Sequence, residues 1–221
     1  MNLDFSQITP YIPFMLEGIW VTLKFVVVAL LFGSILGTLL ALFKIGTVKP
    51  LNWIAIVYTS IFRGTPLILQ LMIFYFAIPQ LTGYDISPFL AAILAFGLNS
   101  AAYISEIIRA GIQAVDKGQT EAALALGVPY RQMMIDIILP QAFKNILPAL
   151  MNEVITLTKE SALVSTISVL DLMRRAQVVG SDLYRSFEPL LFVGFIYWAM
   201  VFVLSAIGKV IERRLKVSDQ S

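Results

Sequence analysis

Five polar side chains, Asn152, Glu153, Thr156, Lys159 and Glu160, fall within one short stretch of a mostly apolar segment. Glu153, Thr156 and Glu160 are spaced i, i+3, i+7, which places them on one face of a helix. Lys159 lies about 100° away from Glu160 around that helix. Ionisable groups at membrane depth are costly unless they pair or face water, so each one is a candidate for function. Two carboxylates against a single lysine favour a cationic guest, and a guanidinium matches a carboxylate bidentately. A packing role stays open, in which Glu153 or Glu160 pairs with Lys159 or Arg63. Covalent and metal chemistry have little to draw on. The chain has no histidine and no cysteine, which removes the commonest general base and the usual zinc, haem and iron–sulfur ligands.

A second group of polar residues sits on neighbouring apolar segments. Asn99 stands beside Ser100 and one turn before Tyr103, where an amide can hold either a guest or a neighbouring helix. Glu106 and Arg109 are i, i+3, the spacing of an internal ion pair. Arg63-Gly64-Thr65-Pro66 interrupts an apolar run. Proline removes a backbone donor, so freed backbone groups at this break, together with Arg63 and Thr65, could line a site. The same break could equally be a kink, with Arg63 reaching the headgroups. Gly97 and Gly111 suit close helix packing.

These residues need long apolar elements to hold them. Of 221 residues, 58% are hydrophobic and 14% charged, and mean hydropathy is +0.84. A soluble domain carries about a quarter charged residues. The expected fold is an all-α integral membrane protein, one transmembrane domain over residues 1–221. Five spans are expected, at about 17–43, 53–81, 88–112, 143–165 and 189–211, each long enough for a ~30 Å hydrocarbon core. Measured from Phe143, Glu153 lies about 15 Å along its helix and Glu160 about 25 Å. The first apolar run is too long for a cleaved signal and is flanked by Asp4 and Glu17. Lys44 and Lys49 on its far side place the N-terminus outside. The C-terminal Lys209, Arg213, Arg214 and Lys216 then fall inside. Arg174, Arg175 and Arg185 dissent, on the expected outer side.

Between the third and fourth spans lies an amphipathic elbow at about 119–138. Thr120 is the expected N-cap, Glu121 suits the first turn, Gly127 suits a left-handed helix end and Pro129 suits the opening of the next helix.

Glu121-Ala122-Ala123 followed by Gly127 and Ile138-Leu139-Pro140 resembles the EAA loop of ATP-binding-cassette importer permeases. The stretch Ala101–Ile112, Gly118-Gln119, Arg63-Gly-Thr-Pro66-Leu67 and Lys159-Glu-Ser161-Ala-Leu163 resemble the polar amino-acid branch of that family. The likeness runs from about residue 14 to 214. Departures are Ala110-Gly111 where the family often has Gly-Gly, and Glu160-Ser161-Ala162 where it often has Asp-Thr-Ser.

The resemblance implies a type I importer permease working by alternating access. Glu121, Ala122, Ala123 and Gly127 would couple it to a separate ATPase subunit. The chain has no phosphate-binding loop and would bind no cofactor itself, with ATP and Mg held by that ATPase. The implied partners are the ATPase, a second permease copy or homologue, an extracytoplasmic amino-acid-binding protein and membrane lipid, with no nucleic acid. The implied location is a bacterial cell membrane. Glu153, Glu160, Asn99, Thr156, Arg63 and Thr65 are the candidate substrate contacts, with no metal. A basic amino acid is the expected cargo. The alternatives are glutamine, with selectivity set by the binding protein, or a proton-coupled secondary carrier with the glutamates as proton sites.

Overall fold

The computed structural model describes residues 3–217, and among these it is built from helices and short connections. A 3₁₀ segment, Phe5–Tyr11, leads into α1 (Ile12–Ile45). Next come α2 (Lys49–Gly64) and α3 (Leu67–Thr82), then α4 (Pro88–Gln113). The short α5 (Lys117–Ala125) precedes α6 (Tyr130–Ile167), and α7 (Leu172–Asp182) precedes α8 (Phe187–Val217). Among the described residues four helices are each long and apolar enough to cross a membrane, and α2 with α3 could form a fifth, broken span.

That break is sharper than a kink. The axes of α2 and α3 differ by 101°. Thr65 and Pro66 are both extended, and Pro66 caps α3 without a side-chain bond. Gln70 closes the corner from inside: its amide donates to the Phe62 carbonyl at 2.9 Å and to the Thr65 hydroxyl at 2.9 Å. The buried amide thus satisfies groups that the interrupted helix leaves open.

The α1–α4 pair forms the centre of the molecule. A side chain at Gly37 would come within 2.9 Å of the Ala101 carbonyl oxygen, and one at Gly33 within 3.0 Å of Ser100 Cβ. Small residues therefore set the separation of these helices, as is common in membranes. The main apolar cluster, with Phe25, Ala29, Leu71, Ala92, Phe96, Leu157 and Val164, lies where α1, α3, α4 and α6 meet.

The elbow differs in detail from its sequence reading. Its first helix starts earlier, because Asp116 and not Thr120 is the N-cap. The Asp116 carboxylate accepts from the Gly118 amide at 2.8 Å. Gly127 takes φ +71°. Around it the Val128 amide donates to the Ala123 carbonyl, and the Gly127 amide to the Leu124 carbonyl, a glycine-closed helix end. The following helix does not wait for Phe143. It runs unbroken from Tyr130, with a π-helical stretch at Met133–Ile138 just before Pro140. That wider turn absorbs the missing proline donor.

Candidate functional site

A cavity of about 460 Å³ opens beside α6. Thr65, Pro66 and Leu67 of the α2–α3 break line one wall, Asn99, Tyr103 and Ile107 of α4 a second, and Ala149, Asn152, Glu153, Thr156 and Glu160 of α6 a third. The structure therefore brings Glu153, Glu160, Asn99, Thr156 and Thr65 to one place. Arg63 stands just outside, its guanidinium over the Tyr103 ring at 5.3 Å.

One cation stands near the two acids: the Lys159 charge acts on Glu160, without pairing with it. Among the described residues, no lysine or arginine forms an ion pair with Glu153 or Glu160. Lys159 is exposed and does not line the cavity. Glu153 is 9% exposed. It accepts from the Ser100 hydroxyl at 2.7 Å. Asn99 uses its amide hydrogens elsewhere, on the Phe62 carbonyl at 3.0 Å and the Gln70 side-chain oxygen at 3.1 Å. Its own side-chain oxygen is the polar group left for the cavity. Leu67 begins α3 at the cavity wall, and the first amides of a helix lack intrahelical acceptors.

Glu106 carries a second cluster. It pairs with Lys44 at 2.5 Å and Arg109 at 2.7 Å, with Arg63 further off at 3.9 Å. The Glu106–Arg109 spacing announces their contact. Lys44 is less legible: in sequence it is a basic residue at a helix end, yet its side chain is 3% exposed and bonded to Ser105 and Glu106.

On the elbow, Glu121, Ala122 and Gly127 are exposed, whereas Ala123 is turned inward against Met133 and Ile138. Leu124 and Leu126 are 59% and 82% exposed. This apolar pair on a polar elbow is not legible in the sequence, where Leu124 and Leu126 count only as strong helix formers.

Residues 6–217 match the family model of the binding-protein-dependent transport system inner membrane component. The chain belongs to that family. This inner membrane component is therefore a multi-pass translocation subunit of a bacterial inner membrane, and not an enzyme. It is 61% identical over 219 residues to the arginine transport system permease protein ArtQ of Bacillus subtilis, covering 99% of this chain and 100% of that one. It is 51% identical over 209 residues to the putative glutamine transport system permease protein GlnP of Rickettsia felis, covering 95% and 96%. Among solved structures it resembles the crystal structure of an amino acid ABC transporter with histidines, at TM-score 0.94 and 44% identity, covering 97% of this chain and 100% of that chain. The MetNI methionine ABC transporter, at TM-score 0.77 and 23% identity, shares the fold of this component.

Proposed function

We propose that this permease carries a basic amino acid, arginine first, through the cavity bounded by Glu153 and Glu160. One observation carries the reading: two carboxylates converge on an open cavity whose lining holds no lysine or arginine, and neither forms an ion pair among the described residues. A guest with a distal guanidinium or ammonium supplies the missing charge. Asn99, Thr156 and Thr65 offer polar contacts around it, and the broken-helix corner with Arg63 beyond suits the guest's carboxylate. The relative named for arginine transport supports this cargo, and the relative named for glutamine transport is the competing possibility.

ATP and Mg belong to a separate ATPase subunit. The elbow docks on it through Glu121, Ala122, Leu124 and Leu126, with Ala123 and Gly127 setting its shape. Two permease subunits rock between inward- and outward-facing states as that ATPase closes and hydrolyses. An extracytoplasmic binding protein delivers the amino acid. The N-terminus faces outward and the C-terminus inward. Two of the three dissenting arginines count less against that orientation, because Arg175 pairs with Glu17 at 2.7 Å and Arg185 with Glu188 at 3.1 Å, while the Arg174 guanidinium donates to Gln177 at 3.4 Å. Paired arginines weigh less as topology signals than free loop cations.

The test is equilibrium binding of an amino-acid panel to the permease–ATPase complex in nanodiscs, with Glu153→Gln and Glu160→Gln alongside. Saturable arginine or lysine binding, lost in either variant, supports the reading. Glutamine binding that is unchanged in both variants overturns it and assigns selectivity to the binding protein.

A further inference from the structure

Hydroxyl residues in these helices mostly bond to their own backbone. Thr38, Thr59, Ser105, Thr158 and Ser165 each donate to a carbonyl three or four residues back, at 2.7–2.9 Å. That is the usual habit of Ser and Thr inside a helix. Ser100 departs from it. Its single hydroxyl proton goes to Glu153 Oε1 at 2.7 Å, across the α4–α6 interface and 53 positions away in sequence.

Ser100 is fully buried and does not line the cavity, although Asn99 before it does. It is also pressed from behind. A Cβ at Gly33 of α1 would lie 3.0 Å from Ser100 Cβ, 3.2 Å from its hydroxyl oxygen and 3.1 Å from the Gly97 carbonyl oxygen. Three helices thus fix one hydroxyl: α4 bears it, α1 backs it through a glycine, and α6 presents the carboxylate that accepts from it.

We infer that Ser100 is a positioning residue for cation selectivity, fixing the plane of the Glu153 carboxylate so that its other edge faces the guest. The inference rests on the reading of Glu153 as a receptor for the cation. A buried carboxylate with one oxygen anchored has a fixed direction in which to accept from a guanidinium. Without the anchor it can turn away from the cavity, and the chain offers no second donor for Oε1 among the described residues. Gly33 acts one layer further out, by leaving room for Ser100 to keep this rotamer.

The test uses the permease–ATPase complex in nanodiscs and compares arginine with citrulline, a neutral near-isostere of arginine. Ser100→Ala, Ser100→Cys and Glu153→Gln are measured with the unaltered protein, each checked for a single size-exclusion peak. Ser100→Ala is expected to weaken arginine about tenfold or more, the worth of a hydrogen bond to a charged group. Citrulline should change less than about twofold in comparison, because a neutral group gains little from an oriented carboxylate. Ser100→Cys, nearly isosteric but a weak donor, should fall between, and it decides the matter if the alanine variant does not fold. Equal losses for both ligands would make Ser100 merely structural and overturn the inference. So would unchanged arginine binding in Ser100→Ala when Glu153→Gln abolishes it. If Glu153→Gln itself leaves arginine binding intact, the earlier assignment of Glu153 fails, and this inference fails with it.

Discussion

Asn99 and Gln70 share a hydrogen bond of 3.1 Å, and both donate to the same carbonyl, that of Phe62. One backbone oxygen at the end of α2 therefore ties α4 to the corner where the chain turns by 101°. The wall of the cavity formed by Thr65, Pro66 and Leu67 is positioned by this knot. Gln70→Met keeps side-chain length but leaves the Asn99 and Thr65 groups short of partners. It should lower stability by about 1–3 kcal/mol, the cost of orphaned buried polar groups. Gln70 does not line the cavity, so substrate affinity should fall through the displaced corner. Thermal unfolding in detergent together with substrate binding checks both effects, and a normal melting temperature would contradict the structural role.

Close approach of helices makes a second, graded prediction. A methyl at Gly37 would meet the Ala101 carbonyl oxygen and Ile104 Cβ, both at 2.9 Å. Neither atom can swing aside without moving a helix. Gly37→Ala should therefore cost about 1–3 kcal/mol as an overpacking change. Gly97→Ala also clashes, but with the Phe32 ring, a partly exposed side chain able to rotate, so its cost should be smaller. Gly64 has nothing within 4 Å of the added methyl and no positive φ. Gly64→Ala should be neutral or gain a few tenths of a kcal/mol from helix propensity. The order of the three melting temperatures is the measurement, and a Gly64 variant that is the least stable would contradict it.

How far the sequence reaches can be seen residue by residue. Apolar runs longer than a bilayer leave little freedom, so the helical membrane class is plain, and so is the i, i+3, i+7 face of Glu153, Thr156 and Glu160. The Gly64-Thr65-Pro66 break is also plain, but its angle is not. That angle depends on Gln70, whose single letter in an apolar run says nothing of the carbonyl it will meet. Lys44 reads as a headgroup cation until tertiary structure carries it to Glu106. Asp116 wins over Thr120 as N-cap because the helix begins one turn earlier than local composition indicates, and element boundaries are the weakest part of any local reading. Ser100 gives no local signal at all, since its partner is set by how α4 meets α6.

At the elbow, Gly127 is the residue whose conformation has a chemical requirement. Its φ of +71° is costly for a side chain with a Cβ, yet nothing lies within 4 Å of that position. Gly127→Asn should be tolerated, because asparagine visits this region readily, whereas Gly127→Val should not. The loss in the valine variant should be about 1–2 kcal/mol locally. Its proposed consequence is a misdirected α5, seen as substrate uptake reduced more than ATPase activity in the reconstituted complex. Equal uptake in the valine and asparagine variants would separate the elbow's shape from coupling.

Asp171 supplies a pH prediction. It is 1% exposed, caps α7 through the Arg174 and Met173 amides, and accepts from the Tyr197 hydroxyl at 3.2 Å. Burial pushes its carboxyl up to about 6 from an ordinary value of 3.8, against the lowering effect of those hydrogen bonds. The folded state therefore holds a proton that the unfolded chain has already released. Between pH 3.8 and about 6 the folded form binds more protons, so this group's contribution falls as pH rises through that window and is constant above it. The total change is up to about 3 kcal/mol. Asp171→Asn cannot titrate but keeps an oxygen for the cap. Relative to the unaltered protein, the asparagine variant should gain stability as pH rises from 4 to 6 and hold a constant difference beyond. Melting temperatures of the two proteins across pH 4–8 measure this, and parallel curves through pH 4–6 would show that Asp171 is already ionised in the fold.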